Sequence, residues 1–265
     1  MSDSNKTTLI VGGSSGMGKE TAKRLLTAGH SVVLLARNAE KLQAAKDELS
    51  PLGEVKTVTV DLYDDAQVDS FVKSIGEING HINSLVNAAG AFCPKPFLEH
   101  DRSDFDTYHN LNRSMFLITQ AVANNMKAHG GGSIVNIGSM WAKQAVKATP
   151  SSAYSMAKAG LHAFTQHLAM ELGEFGIRAN AVSPAVVVTP IYGSFIEPDK
   201  IEETLQGFND FHPIGRVGNV GDIADVVELL LSEKSSWVTG AVWDCLLYTS
   251  PSPRDATLSR MPSSA

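Results

Sequence analysis

Tyr154 and Lys158 lie four positions apart in a stretch, 152–175, whose apolar spacing predicts a helix. Residues four apart on a helix share a face, one turn from each other. A phenol and an ammonium would therefore stand side by side. A free phenol titrates near ~10, and a neighbouring cation favours the phenolate. The pair is a candidate general acid/base for a carbonyl or hydroxyl substrate. Alone it says little, because Tyr and Lys are common on helices, so the surrounding elements must give it a place.

Those elements read as a βα alternation. Thr7, Thr8, Leu9, Ile10 and Val11 form a short apolar, β-branched run that predicts a buried strand. Gly12, Gly13, Gly16 and Gly18 follow, and then a helical pattern over 17–28. A glycine-rich turn between strand and helix is the setting in which such glycines bind a dinucleotide. Gly12 would permit the tight turn, Gly16 the approach of a pyrophosphate to the backbone, and Gly18 close helix–sheet packing. The phosphates would sit at the helix N-terminus, where free N–H groups favour anions.

The second strand, 31–36, ends in Ala36-Arg37 with no carboxylate. An acidic residue here bonds an adenosine ribose, whereas Arg accommodates a 2′-phosphate, so NADP(H) is favoured over NAD(H). Further strands are expected at 55–60, 82–86, 133–138 and 177–182, with helices at 39–49, 64–78, 104–129 and 220–232. Residues 191–213 read as a helical insert, and 241–244 begin a last strand. This alternation predicts an α/β, Rossmann-type, doubly wound parallel sheet with helices on both faces, in a single domain over 1–244. Sites in such sheets lie beyond the C-terminal strand ends, which is where Asp61 and the run Asn87, Ala88, Ala89, Gly90 fall.

Composition bounds the alternatives. The chain has 265 residues, 43% hydrophobic and 19% charged, with a net charge of −6. An acidic balance argues against nucleic acid as a partner. No apolar run reaches the ~18 residues of a membrane span, and the start has no secretory h-region. Two cysteines are too few for a disulfide framework, so a cytoplasmic setting is expected. The eight histidines show no metal-ligand spacing, and no metal is expected. No G-x-S-x-G elbow accompanies Ser139, which argues against a hydrolase nucleophile.

Taken in order, Gly12-x3-Gly16-x-Gly18, Asn87-Ala-Ala-Gly90, Ile137-Gly-Ser139, Tyr154-x3-Lys158 and Ser183-Pro184-x4-Thr189 resemble the short-chain dehydrogenase/reductases, specifically the short single-domain branch. The resemblance spans about residues 5–244. It implies hydride transfer between a nicotinamide and a carbonyl or alcohol. By the same resemblance Tyr154 is the acid/base, Lys158 lowers its pKa and bonds the nicotinamide ribose, and Ser139 orients the substrate oxygen. Gly12, Ser14, Gly16, Met17, Gly18, Arg37, Asp61, Asn87, Ala88, Gly90, Pro184, Val187 and Thr189 match cofactor contacts, with Asp61 at the adenine. A homodimer or homotetramer is implied, acting on a small-molecule substrate. The alternative is a dinucleotide-binding regulatory or structural protein with weak turnover.

Four departures stand out. Alignment on Phe116 and Gln120 puts Leu111 where the family carries a proton-relay Asn, flanked by Asn110 and Asn112, with Asn112 preferred. Ala185 replaces the Gly expected after Pro184, which requires negative φ there. The stretch from Ser139 to Tyr154, with Trp141, Lys143, Lys147 and Pro150, looks slightly long and is expected to shape the substrate pocket. Phe175 stands where reductases of acyl carrier protein tend to be basic, which disfavours that substrate. Finally, residues 245–265 leave the family pattern. Cys-Leu-Leu-Tyr-Thr-Ser can be encoded by TGT CTC TTA TAC ACA TCT, which resembles a sequencing adapter, so the tail reads as non-native or disordered and the chain as a gene fragment.

Overall fold

The structure, a computed structural model, describes residues 6–145 and 149–245. The expectations for Lys147 and for the tail beyond Cys245 lie outside those residues. Seven parallel strands form one sheet in the order β3-β2-β1-β4-β5-β6-β7. They are β1 (Thr7–Val11), β2 (Ser31–Ala36), β3 (Val55–Thr59), β4 (Ile82–Asn87), β5 (Gly132–Ile137), β6 (Ile177–Ser183) and β7 (Val242–Asp244). The helices are α1 (Gly16–Thr27), α2 (Ala39–Leu49), α3 (Asp65–Gly76), α4 (Arg102–Ala128), α5 (Ser152–Leu172), α6 (Ile201–Gln206) and α7 (Val220–Leu231). The strand order doubles back between β1 and β4, which creates the crevice where such sheets bind ligands.

The two-residue period of each strand divides the core. On β1, Leu9 and Val11 pack with α3, α4 and α5 residues such as Val68, Ile118 and Leu168, while Ile10 faces Leu25 of α1 and Val227 of α7. Burial on both faces explains why these strands are near-continuous apolar runs. Helix starts follow capping chemistry: Asn38 caps α2 and Asp64 caps α3, while Asp101 with Asp104 and Asn219 with Asp222 close capping boxes on α4 and α7. The helix expected to run to Phe175 ends at Leu172. A single 3₁₀ turn follows, and Gly176 reverses the chain at φ 72°. The predicted insert is helical, with 3₁₀ turns flanking α6. β7 pairs in parallel with β6 over three residues, and the Cys245 N–H still donates to the Ser183 carbonyl at 3.2 Å.

Candidate active site

The β1–α1 turn is built by its glycines. Gly12 has φ 87°, and a Cβ there would lie 2.6 Å from the Ala89 nitrogen. A Cβ on Gly18 would lie 2.3 Å from the Gly12 carbonyl oxygen, so α1 approaches the sheet as closely as backbone allows. Gly16 differs: at φ 55°, a Cβ would meet nothing nearer than 3.7 Å. Across the space before it stand Pro190 and Thr189, at ordinary contact distance from such a Cβ. The Ser15 side chain makes no capping bond, so the first N–H groups of α1 face that space without a side-chain acceptor.

A cleft of about 370 Å³ runs from this turn over the strand ends. Ser14, Gly16, Met17, Arg37, Asp61, Ala88, Gly90 and Thr189 line it, as do Asn38, Lys41 and Tyr63. These residues fit a dinucleotide: glycine-lined backbone at the helix end for phosphates, and two cations at the far end. Lys41, in the first turn of α2, lines the cleft together with Arg37. The Asp61 carboxylate accepts the Tyr63 N–H at 3.0 Å, which orients it at the rim.

A smaller chamber of about 50 Å³ adjoins the cleft, sharing Met17, Thr189 and Ile191 with it. Ser139, Tyr154, Pro184, Ala185 and Val187 line the chamber together with Trp141, Phe92 and Tyr192. The tertiary fold thus brings Ser139, at the end of β5, against Tyr154, near the start of α5. Burial pushes the Tyr154 phenol above its ordinary value, and the Ser139 hydrogen bond opposes this only in part. The phenol is therefore protonated at neutral pH.

Lys158 overturns one expectation. Its ammonium is buried, donates to the Ile137 carbonyl at 2.7 Å, and stands 5.8 Å from the Tyr154 ring centroid. It lines neither cavity. Burial pulls the Lys158 pKa down to about 8, and desolvation is the largest influence on the Tyr154 phenol. Asn87 is a second correction. Its side chain is turned from the cleft, where its Nδ2 donates to Thr119 Oγ1 at 2.9 Å and to Asn136 Oδ1 at 2.8 Å. Asn136 Nδ2 donates in turn to Thr165 Oγ1 at 2.9 Å. This buried chain ties β4 and β5 to α4 and α5 behind the site; of its members, sequence reasoning had singled out Asn87 alone. Gly18 likewise packs helix on sheet and does not line the cleft.

Leu111 lines the dinucleotide cleft. Asn112 sits one position on and its Nδ2 donates to the Ala157 carbonyl at 2.8 Å, fastening α4 to α5 at the residue before Lys158. Phe175 lines neither cavity. It lies in the α4–α5 groove with the Lys127 ammonium 3.9 Å above its ring.

His162 is a supporting residue that no sequence motif singles out. Its Nε2 accepts the Ser139 N–H at 3.4 Å, and a Cβ on Gly138 would fall 2.1 Å from that atom. Gly138 is glycine because the imidazole occupies the place of a side chain. Burial, then the nearby Lys143 and Lys158 cations, pull the His162 pKa down to about 4, so it stays neutral.

Among the described residues no cluster of side chains could hold a metal ion, and no helix is long and apolar enough to cross a membrane. A family model described as Enoyl-(Acyl carrier protein) reductase matches residues 11–245. The chain is 37% identical over 240 residues to a (2S)-[(R)-hydroxy(phenyl)methyl]succinyl-CoA dehydrogenase subunit of Thauera aromatica, covering 90% of this chain and 94% of that one. A solved L-sorbose reductase of Gluconobacter frateurii, complexed with NADPH and L-sorbose, superposes with a TM-score of 0.82 at 28% identity, covering 91% of this chain and 95% of that one. A 7α-hydroxysteroid dehydrogenase complexed with NADH superposes at 0.80 with 32% identity, covering 90% and 92%. With these similarities joined to a seven-stranded Rossmann-like sheet, the chain belongs to the short-chain dehydrogenase/reductases, a family of oxidoreductases.

Proposed function

We propose that the protein is an NADP(H)-dependent oxidoreductase that interconverts a carbonyl and a secondary alcohol, with Tyr154 as the acid/base. The observation that carries this is half-buried Tyr154 beside buried Ser139, in a chamber that shares its wall with a dinucleotide cleft. When bound, the nicotinamide cofactor supplies or accepts the hydride. The chain's own groups do the rest. Ser139 Oγ holds the substrate oxygen, and Tyr154 gives that oxygen its proton. A phenol kept protonated by burial is in the reactant form for carbonyl reduction. Lys158, held on the Ile137 carbonyl, adds positive charge behind the phenol, and Asn112 steadies that stretch of α5 through Ala157. Arg37 and Lys41 supply the charge suited to a 2′-phosphate, which favours NADP(H). Relatives of similar identity are complexed with NADPH in one case and NADH in another. A homodimer or homotetramer accords with the outer faces of α4 and α5, where Phe116 and Met170 are exposed.

The test follows nicotinamide absorbance against a panel of uncharged and charged carbonyls, wild type beside Tyr154→Phe. Reduction that falls ~10²–10⁴-fold in the variant is expected, with NADPH binding retained. A second reading, a dinucleotide-binding protein of weak turnover, is favoured by Leu111 at the cleft wall in place of a relay Asn. Absence of Tyr154-dependent turnover across the panel, with NADPH still bound, would select it.

A further inference from the structure

Lys143 lines neither the cleft nor the chamber, yet it is joined to the edge of the sheet. Its ammonium donates to both carboxylate oxygens of Asp244, at 2.9 and 2.8 Å, across 101 positions of sequence. Asp244 is the last residue of β7, a strand of three residues at the end of the sheet order. Strand register explains the meeting. Ser183 of β6 pairs with Asp244, and the Gly138 N–H, one residue past β5, donates to the Val182 carbonyl at 2.7 Å. The turn that leaves β5 is therefore two strand spacings from β7, about 10 Å, a gap that one Lys and one Asp side chain together close.

Lys143 also ends the turn that carries Ser139. A single 3₁₀ turn, Met140–Ala142, lies between them, with Ser139 at its N-cap and Lys143 at its C-cap. The Ala142 N–H donates to the Ser139 carbonyl at 3.1 Å, and the Lys143 N–H to the Met140 carbonyl at 2.9 Å. The Trp141 N–H donates to Ser139 Oγ at 3.3 Å. The Met140 N–H reaches the Pro184 carbonyl, just past β6, at 2.9 Å. A displacement of Lys143 is thus carried to Ser139 through four consecutive bonded residues. His162, accepting the Ser139 N–H, secures the other end.

We infer that Lys143 and Asp244 are positioning residues for Ser139: their ion pair clasps the 139–143 turn to β7, so that the seating of the edge strand fixes the hydroxyl that holds the substrate oxygen. This rests on the proposed reductase reading and adds two residues that act through Ser139 without touching substrate or cofactor. Their side chains are 45% and 39% exposed, so screening by water and salt holds the effect of the pair to a few-fold.

Two readouts on the full chain test this. Lys143→Met and Asp244→Asn remove one charge each at nearly constant size. Lys143→Arg keeps the charge, and Lys143→Asp joined to Asp244→Lys reverses the pair. The first readout is the Ser139 amide resonance, seen by selective ¹⁵N-serine labelling, which reports the bond to His162 and needs no substrate. It is expected to shift in Lys143→Met and in Asp244→Asn, and to return toward its original place in Lys143→Arg or in the reversed pair. The second is kinetic. On the carbonyl panel, kcat is expected to fall about two- to fivefold in each neutralised variant. NADPH affinity should stay unchanged, since neither residue lines the dinucleotide cleft. An unmoved Ser139 resonance, a kcat that stays level while carbonyls are turned over, or an NADPH affinity that falls would overturn the inference. So would finding neither Lys143→Arg nor the reversed pair closer to the unsubstituted protein than Lys143→Met. If the resonance moves and returns while no carbonyl is turned over, the clasp stands and the reductase reading fails.

Discussion

Replacing Gly138 by Ala tests how the catalytic corner is held. The added methyl would fall 2.1 Å from His162 Nε2 and 2.7 Å from its Cδ2. Ordinary contact begins near 3.4 Å, so ring or backbone must move by more than an ångström. The ring is buried and its Nε2 accepts the Ser139 N–H, so either movement displaces Ser139. Overpacking of this kind costs about 1–3 kcal/mol. For a chain of this size ~2 kcal/mol corresponds to a Tm lower by about 4–8 °C. Activity should fall further than stability, about 10²-fold in kcat, because Ser139 would no longer meet the substrate oxygen. The assay is a double-mutant cycle with His162→Ala, read by urea denaturation and kcat. Removing the imidazole vacates the space the methyl needs. Gly138→Ala in the His162→Ala background should therefore cost under ~0.5 kcal/mol, a coupling of at least ~1 kcal/mol. If the two substitutions are additive, the methyl does not meet the ring and the steric account is wrong.

Three other outcomes are expected. His162 has a folded pKa near 4, below its unfolded value of 6.5; the unfolded chain binds the proton first, so stability should fall as pH drops from about 6.5 to 4. Urea midpoints across that range should show the loss, and His162→Gln should flatten it; an unchanged slope would assign the loss to other groups. Gly12→Ala places a methyl 2.6 Å from the Ala89 nitrogen at φ 87°, combining left-handed strain of about 1–2 kcal/mol with a backbone clash. NADPH titration should show binding weakened by 10-fold or more, and unaltered affinity would mean the turn accommodates a side chain. Arg37→Asp removes a charge-assisted contact worth about 1.5–3 kcal/mol, so NADPH affinity should fall about 10- to 100-fold while NADH affinity is kept or improved. Equal affinity of the unsubstituted protein for the two nucleotides would sink the NADP(H) preference.

Much of the fold was legible in local pattern. Apolar runs of five to seven residues alternating with 3.6-period stretches located six full strands and the long helices within a few residues. Periodicity carries that information because each strand must bury two faces and each helix one. The glycines at 12 and 16 were readable because a strand-to-helix turn with left-handed φ tolerates few other residues, and Gly18 because a Cβ there would strike the Gly12 carbonyl. The helix boundary near Phe175 was less legible, since a 3₁₀ turn continues the apolar spacing past the last α-helical residue.

The site divides along the same line. Sequence by itself determined that Tyr154 and Lys158 share a helix, that Ser139 ends a strand, and that glycines shape the first turn. These are facts of local geometry. Only the tertiary structure decided what those groups do to one another. It buried the phenol, so that desolvation raised a pKa which spacing alone predicted to fall. It gave the Lys158 ammonium to the Ile137 carbonyl, turned Asn87 to Asn136 and Thr119, and set Asn112 on Ala157. It placed His162 against Gly138 and left the Trp141 indole N–H buried without an acceptor among the described residues. Burial and long-range pairing depend on residues up to a hundred positions apart. Their energies follow from the water excluded and the partners supplied, which no local spacing records.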